Sequence, residues 1–231
     1  MFEREHHRRI GHVLQALDGP SLSSHGCLFG GGTAIALRFG EYRESVDIAF
    51  LVSHLPGYRA LRQALTGTQS LAPIVRPGQA LRMVRELRAD QYGLRTLLRV
   101  DGVAIKFEIM HEARIELAAP GANDAQCGVP TLTPLDMAAS KLLANSDRWA
   151  DDAAYSRDLI DLAMMQPGRK LLQQAVAKAA RAYGSSVEAD LRKAVARLRE
   201  RPQRLDVCRQ VLGMQAVPTA LLWSRIRRLP R

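Results

Sequence analysis

The sequence predicts an α+β fold, in which a mixed α/β domain over residues 1–125 is followed by a basic helical domain over residues 126–231. Two observations carry this prediction. Up to about residue 119, short apolar stretches alternate with polar residues, which is the period of β-strands, and helical segments lie between them. After the loop "PGANDAQCG" the apolar residues recur at helical spacing as far as the C-terminus.

The first elements alternate between helix and strand. Residues 3–17 place apolar side chains on one helical face, and "CLFGGG" is a short apolar run that ends in a glycine turn. The segment "TAIALRFG" predicts a short helix closed by Gly40, since glycine commonly follows a last helical turn. "SVDIAFLV" is β-branched and apolar and predicts a strand, and residues 56–67 predict a further helix that starts at a proline.

The segments that follow predict strands and then helices. The stretches "ALRMVRELRA", "YGLRTLLRVDG", "VAIKFEIM" and "ARIELAA" alternate apolar and polar residues, and Asp101-Gly102 suits a hairpin turn. Thr133 can cap the next helix through its hydroxyl, and Pro134 suits the first turn of that helix. Beyond it we expect helices with breaks near Pro167, Gly184, Pro202 and Gly213.

The net charge of +10 is concentrated in the last third of the chain. Residues 1–156 contain 17 Lys and Arg against 17 Asp and Glu, whereas residues 157–231 contain 16 against 6. A basic helical segment of this kind is typical of a surface that binds the phosphates of nucleic acid. The alternative is a solvated helical surface that happens to be rich in arginine.

The composition also excludes several classes of protein. No apolar run approaches the roughly 20 residues of a membrane span, and the N-terminus lacks the apolar centre of a signal peptide. The three cysteines are odd in number and widely spaced, which predicts buried thiols and a reducing, cytoplasmic location. The six histidines follow no zinc-binding spacing, so we expect no zinc site.

One stretch of the N-terminal part combines a glycine turn with an acidic residue. The turn at Gly31 and Gly32 opens a helix, and backbone N–H groups at a helix start suit phosphate oxygens. Asp47 lies on the next predicted strand, and residue 49, an alanine, shares its face because strands alternate with period two. Glu108 on a later strand can come close to Asp47, and carboxylates beside a phosphate site would hold magnesium. The alternatives are an ordinary glycine turn and a solvent-facing strand acid at Glu108.

Four segments together resemble one protein family. "GGTAIALRFG", "RESVDIAF", "KLLANSDRW" and "RDLIDL" occur in the order typical of the AbiEii-like nucleotidyltransferase toxins of bacterial toxin–antitoxin systems. That family belongs to the DNA polymerase β-like nucleotidyltransferase superfamily, and the resemblance runs from about Phe29 to Met165. It implies a nucleotidyltransferase-like N-terminal domain with a mixed sheet, followed by a helical bundle.

The resemblance also implies roles for single residues. The positions that match nucleotide-binding motifs are Gly31, Gly32, Thr33, Arg43, Ser45, Lys141 and Arg148. The positions that match catalytic motifs are Asp47, Ala49, Lys141, Asp158 and Asp161. Asp47 and Glu108 match acids that hold the metal. For the helical residues the alternative is surface ion pairs, such as Arg157 with Asp161.

Ala49 departs from the family pattern. The family carries a second metal-binding acid at this position, and nucleotidyl transfer depends on the charge neutralisation that such a ligand supports. The other motifs are complete, which favours an engineered substitution that disarms the enzyme over a natural variant. Both explanations stay open.

The implied activity is transfer of a nucleoside monophosphate from an NTP to RNA. The family resemblance implies that the acceptor is the 3′ end of tRNA. Mg²⁺ is the implied cofactor, and a cognate antitoxin protein is an implied partner. Ala49 would impair this activity. The alternative is a catalytically inert protein that binds nucleotide or RNA within a defence or regulatory system.

Overall fold

The computed structural model of the protein describes residues 2–229, and its chain forms two compact units. Unit 1 consists of Met1–Leu37 and Ser45–Thr133, and unit 2 consists of Arg38–Glu44 and Pro134–Arg231. Unit 2 therefore includes a short piece of chain that precedes the second strand. The domain boundary predicted at residues 125/126 stays a prediction; the chain passes into the main part of unit 2 between Thr133 and Pro134.

Unit 1 contains both helices and strands. Its helices are α1 (Glu5–Ala16), α2 (Gly19–Ser24), α3 (Gly31–Arg38) and α4 (Leu55–Thr68), with a short 3₁₀ turn at Ala72–Ile74. Its strands are β1 (Leu28–Gly30), β2 (Ile48–Val52), β3 (Arg88–Ala89), β4 (Gly93–Val100), β5 (Val103–His111), β6 (Ala125–Gln126) and β7 (Val129–Pro130).

Within residues 2–229, the main sheet has the strand order β1-β2-β5-β4-β3. The pair β2–β5 is parallel and the other neighbours are antiparallel. Phe29, Phe50 and Phe107 lie on three adjacent strands and are fully buried, with ring centroids 5.5 and 5.7 Å apart. The opposite face of β4 and β5 carries Arg95 and Lys106, so only one face of this part of the sheet has a continuous apolar surface.

Most of the predicted elements of unit 1 are confirmed. The hairpin turn at Asp101-Gly102 joins β4 to β5, and both residues have positive φ angles of 48° and 80°, as a tight hairpin turn requires. One strand prediction was too broad and another was wrong. Only Arg88–Ala89 of "ALRMVRELRA" pairs as a named strand, and "ARIELAA" forms none, because alternation alone does not supply a partner strand. The loop "PGANDAQCG" in turn contains β6 of a small hairpin.

The elements described in unit 2 are helical. After α5 (Pro134–Arg148) and a 3₁₀ turn at Asp152–Ala154 come α6 (Arg157–Met165), α7 (Arg169–Tyr183), α8 (Ser186–Glu200), α9 (Pro202–Val211) and α10 (Thr219–Ile226). The four predicted breaks are confirmed, whereas the break between α5 and α6 was not predicted. Helix α5 packs against α6, α7 and α8 through buried side chains such as Leu142 and Leu143. The predicted α+β class is therefore confirmed.

Across the described part of the chain, residues 2–229, no helix combines the length and apolar character that crossing a membrane would require.

Candidate active site

The glycine turn is the N-terminus of a helix. Strand β1 ends at Gly30 and α3 starts at Gly31, so the backbone N–H groups of the first helical turn have no intrahelical acceptor. Gly31 has φ of 69°, which side-chain-bearing residues rarely adopt, and a Cβ there would lie 3.2 Å from the Cβ of Ala49. The turn thus exposes helix N–H groups beside residue 49, which is a geometry that suits phosphate oxygens.

A buried hydrogen-bond chain holds the segment that precedes β2. The hydroxyls of Thr33 and Ser45 are 2.8 Å apart, and Thr33 donates to the carbonyl oxygen of Asp47. The N–H of Ser45 donates to Nε2 of His7 at 3.1 Å, and His7 is fully buried. Thr33 and Ser45, which the resemblance assigns to nucleotide binding, therefore use their side chains to fix the position of Asp47.

Sequence reasoning missed His7, although a signal was present. His7 lies three residues before Ile10 and seven before Leu14, so it belongs to the apolar face of α1. A histidine on such a face is buried and needs a hydrogen-bond partner. Only the fold identifies that partner as the backbone of Ser45.

Asp47 and Ala49 differ in their surroundings. Asp47 is exposed and directly precedes β2, so the prediction that it lies on the strand is corrected by one residue. Ala49 lies within β2 and is the register partner of Gly30 on one side and of Glu108 on the other. Paired residues of neighbouring strands project from the same face of a sheet. The side chains of residue 49 and Glu108 therefore stand next to each other beside Gly31.

Glu108 belongs to a row of residues that crosses the sheet. Its register partner on β4 is Arg95, whose own partner on β3 is Arg88. One carboxylate oxygen of Glu108 accepts from Nε of Arg95 at 2.9 Å, and the other is 2.9 Å from Nζ of Lys106. Glu108 is only 9% exposed, so the alternative of a solvent-facing acid is wrong. Arg95, which sequence reasoning missed, could be recognised only from the strand register.

The carboxylates present do not form a complete metal site. Among residues 2–229, no group of three His, Cys, Asp or Glu side chains is placed to hold a metal ion. In the described part of the chain Asp47 forms no ion pair, whereas both oxygens of Glu108 face cationic groups. A divalent ion needs several oxygen ligands, and the two-metal chemistry of phosphoryl transfer needs acids shared between ions. The carboxylates of the present chain therefore do not fit a pair of divalent metal ions.

A second cluster of predicted site residues is buried in unit 2. The guanidinium of Arg43 binds Asp161 through two bonds, with Nε 2.6 Å from Oδ1 and Nη2 2.9 Å from Oδ2. The hydroxyl of Tyr42 donates to the same carboxylate at 2.6 Å, and Nζ of Lys141 lies 2.6 Å from its Oδ2. Asp161 is fully buried and Arg43 is 4% exposed. The cluster therefore holds Arg43 against α6 by a bidentate ion pair.

Asp158 joins the same cluster. Its carboxylate lies 2.9 Å from Nζ of Lys141 and accepts from Arg148 at 2.6 and 3.0 Å. Surface ion pairs, the alternative reading of these helical residues, are therefore wrong for both aspartates. Three cations face two carboxylates among these five described side chains, and the charge of Asp147 also acts on Arg148. The ammonium of Lys141 is bound to Asp158 and Asp161. Its contact with a nucleotide triphosphate stays a prediction.

The cations of the cluster keep both carboxyl groups ionised. Burial by itself raises the pKa of Asp158, but Lys141 and Arg148 outweigh burial and hold that pKa well below its ordinary range. Burial also raises the pKa of Asp161, but Arg43 and Lys141 outweigh burial, so the pKa of Asp161 is lowered overall. The positive partners thus dominate over desolvation at both aspartates.

We expect unit 2 to lose stability in acid because of these two groups. A carboxyl whose pKa is lower in the folded than in the unfolded state stabilises the fold above its unfolded pKa of about 4, and this stabilisation disappears as the pH falls towards the folded pKa. The free energy of unfolding should therefore vary little between about pH 7 and 5 and fall steadily below about pH 5. Urea titrations at a series of pH values measure this. An Asp158→Asn variant should show a shallower acid-induced loss, and an identical slope in both proteins would contradict the assignment.

Comparison with known proteins identifies the family. The family described as "Nucleotidyl transferase AbiEii toxin, Type IV TA system" matches residues 13–219 of the chain. No curated protein matches the sequence. Among solved structures, the chain is similar to a Helicobacter pylori protein described as a nucleotidyltransferase, with a TM-score of 0.52, 15% identity and coverage of 97% of this chain and 93% of that one. It is also similar to JHP933 from Helicobacter pylori, with a TM-score of 0.50, 14% identity and coverage of 100% and 94%.

The structural likenesses support the fold, and the family match supports the class of reaction. The matched range includes the glycine turn, Asp47, Glu108 and both aspartates of the buried cluster. The chain belongs to the AbiEii family of nucleotidyl transferase toxins.

Proposed function

We propose that this protein, in a form with an acid at position 49, transfers a nucleoside monophosphate from an NTP to RNA and releases pyrophosphate. One observation carries the proposal. Residue 49 lies in register beside Glu108 and its Cβ faces Gly31 at the N-terminus of α3. A carboxylate at this position would stand next to a second acid and next to the N–H groups that suit a phosphate.

Each residue of unit 1 has a defined part in this proposal. The N–H groups of Gly31 and Gly32 would bind phosphate oxygens of the nucleotide. Thr33, Ser45 and His7 would keep Asp47 in place through the hydrogen bonds already described. Mg²⁺ is the ion that we propose for the form with an acid at position 49, whereas the carboxylates of the present chain do not fit it.

The residues of unit 2 would contribute charge. In the buried cluster the three cations Arg43, Lys141 and Arg148 outnumber the two carboxylates that they contact, Asp158 and Asp161. We propose that this excess favours the anionic nucleotide, with Lys141 and Arg148 as the phosphate-facing members. The two aspartates act as positioning residues, because they contact the cations and hold them in place.

RNA is the proposed acceptor because of the charge of the last third. Residues 157–231 contain 16 Lys and Arg against 6 Asp and Glu. Such an excess binds nucleic acid through its phosphates and without selecting a sequence. The 3′ end of tRNA is the acceptor that we propose within this class, and a cognate antitoxin protein is the proposed partner. The three cysteines are free thiols, which fits the cytoplasm as the proposed location.

A second candidate function is binding of nucleotide or RNA without chemistry. Two observations favour it: Ala49 lacks a carboxylate, and the carboxylate of Glu108 is bound to Arg95 and Lys106. The discriminating experiment incubates the Ala49→Asp protein with each labelled NTP, Mg²⁺ and total tRNA. Labelled RNA supports the enzyme, and its absence with every NTP supports the binding protein.

We expect the unmodified chain to bind NTP weakly through the glycine turn. Gly31→Ala should reduce this affinity by about tenfold or more, because alanine disfavours a positive φ and its Cβ would crowd Ala49 at the phosphate-binding turn. Titration of a fluorescent NTP analogue measures the affinity. Gly67→Ala is the matched control, since a Cβ at this α4 position meets open space. Equal affinities of the two variants would show that the turn does not bind the nucleotide.

A further inference from the structure

An exposed carboxylate of unit 2 is surrounded by arginines. Within residues 2–229, Asp152 forms ion pairs with Arg197 at 3.0 Å, Arg201 at 3.3 Å and Arg204 at 3.7 Å. Arg204 also donates to the carbonyl oxygen of Asp152. The Asp152 side chain is 56% exposed, so the group is open to solvent. We call these three arginines with Asp152 the Asp152 cluster.

Helices α8 and α9 supply the arginines. Arg197 lies in the last turn of α8 and Arg201 is the residue between α8 and α9, and both side chains reach Asp152. Arg204 comes from the first turn of α9. Arg199 lies between the first two in sequence but projects from another face and is exposed. The convergence of three guanidinium groups is therefore a product of the α8–α9 arrangement.

The backbone next to Asp152 is in an unusual conformation. Tyr155 and Ser156 have positive φ angles of 49° and 51°, although neither is glycine. Consecutive residues of this kind are uncommon and cost free energy, and such strain is concentrated at functional segments. The guanidinium of Arg204 also lies 5.1 Å from the ring centroid of Tyr155. This segment thus presents both the Asp152 carboxylate and the Tyr155 ring to Arg204.

We propose that Arg197, Arg201 and Arg204 bind a backbone phosphate of the RNA acceptor, and that Asp152 occupies this site in the free protein. The proposal rests on the proposed function for the identity of the acceptor. The three arginines of the cluster share one carboxylate, so the cluster has two more positive than negative charges. An ordinary surface ion pair has one charge of each sign. Guanidinium groups match the geometry of phosphate oxygens as well as that of carboxylates. The phosphate therefore replaces Asp152 as the shared acceptor.

RNA suits this surface better than an acidic protein does. The three arginines of the Asp152 cluster lie in the basic segment, residues 157–231. Several phosphates of one RNA strand can bind such a segment at once, and each contact adds to the affinity. Aromatic rings accompany the cations: Tyr155 lies under Arg204, and Trp149 lies 5.5 Å from Nζ of Lys193. Rings and guanidinium planes on one surface provide stacking partners for unpaired bases.

The sharpest test removes the charge of Asp152. Because Asp152 competes with phosphate, Asp152→Asn should raise the affinity for a labelled single-stranded RNA by about threefold or more at low salt, measured by fluorescence anisotropy without NTP. Arg201→Glu should lower it by about tenfold and reduce the slope of log affinity against log salt by about one. If Asp152 instead organises the arginines for another purpose, Asp152→Asn would weaken binding or leave it unchanged, which overturns the proposal.

Two controls accompany these variants. Arg199→Glu makes the same charge change in the last turn of α8, outside the cluster, so its effect should be clearly smaller than that of Arg201→Glu. Asp206→Asn removes an exposed carboxylate that pairs with a single arginine, Arg209, and should leave the affinity unchanged. Equal effects of the two arginine variants, or of the two aspartate variants, would mean that general charge and not the cluster binds RNA.

Further measurements separate this proposal from the proposed function. If every variant binds RNA as expected but the Ala49→Asp protein transfers no nucleotide, the phosphate site stands and the enzyme fails. If transfer occurs but the cluster variants bind RNA equally, only the phosphate site fails. Competition by polyglutamate as strong as competition by RNA, with the same dependence on Asp152, would overturn the RNA assignment in favour of an acidic protein partner.

Discussion

The Ala49→Asp protein should transfer nucleotide to RNA at least about a thousandfold faster than the unmodified chain. A carboxylate at position 49 would stand beside Glu108 and complete the acids available to a divalent ion. Phosphoryl-type transfer depends on positioning and charge neutralisation, so a missing ligand removes the main catalytic contribution. A loss of about 4 kcal/mol of transition-state stabilisation corresponds to about a thousandfold in rate. Incorporation of labelled NTP into tRNA measures the difference.

The surroundings of residue 49 accept this change. Ala49 is half-buried on a sheet face that also carries charged side chains, and its Cβ faces the N-terminus of α3. The positive end of a helix dipole stabilises a nearby carboxylate. We therefore expect the variant to fold with a stability close to that of the unmodified chain.

Two control proteins make this result specific. Ala49→Asn introduces a side chain of the same size as aspartate without the charge and should remain near background, since a neutral amide neither binds a divalent ion as strongly as a carboxylate nor neutralises its charge. Asp47→Ala introduced into the Ala49→Asp protein should abolish the gain, because ligands of the same site act as a unit. An inactive Ala49→Asp protein with every NTP would leave the binding function as the better account. Full activity of the unmodified chain would show that Asp47 and Glu108 suffice.

Asp161→Asn should lower the free energy of unfolding by about 3–5 kcal/mol, as removal of one partner from a buried ion pair does. Asp161 is fully buried and accepts bonds from Arg43, Tyr42 and Lys141. Asparagine has nearly the same shape but replaces one acceptor oxygen by an NH₂ donor, which would face the donors of Arg43 or Lys141. The guanidinium of Arg43 would then be buried without a full counter-charge. Urea unfolding at neutral pH measures the loss.

Asp206→Asn is the matched control for this substitution. Asp206 also pairs with an arginine in unit 2, but its side chain is 52% exposed. Exposed ion pairs contribute little, so the free energy of unfolding of the Asp206→Asn protein should stay close to that of the unmodified chain. If the free energy of unfolding fell by the same amount in both variants, burial would not explain the contribution of the Arg43–Asp161 pair to stability. The cluster would then have to be assigned a role in binding alone.

Local sequence signals predicted the elements well where one residue type dictates the backbone. Asp101-Gly102 made a hairpin turn because both positions need positive φ, and Pro134 began α5 because its missing N–H costs nothing in a first turn. The strand assigned to "ARIELAA" failed for the opposite reason. A strand exists only when a neighbour pairs with it, and alternation does not reveal the neighbour.

By itself, the sequence determined the α+β class, the order of the family motifs and the presence of alanine at position 49, since each of these is carried by residue types and short spacings. The tertiary structure alone decided which charges meet. Strand register placed Ala49 beside Glu108 and bound Glu108 to Arg95 and Lys106. Packing in unit 2 paired Arg43 with Asp161, which lies 118 residues further along the chain. Such contacts depend on how distant elements pack, and no local propensity or periodicity encodes that arrangement.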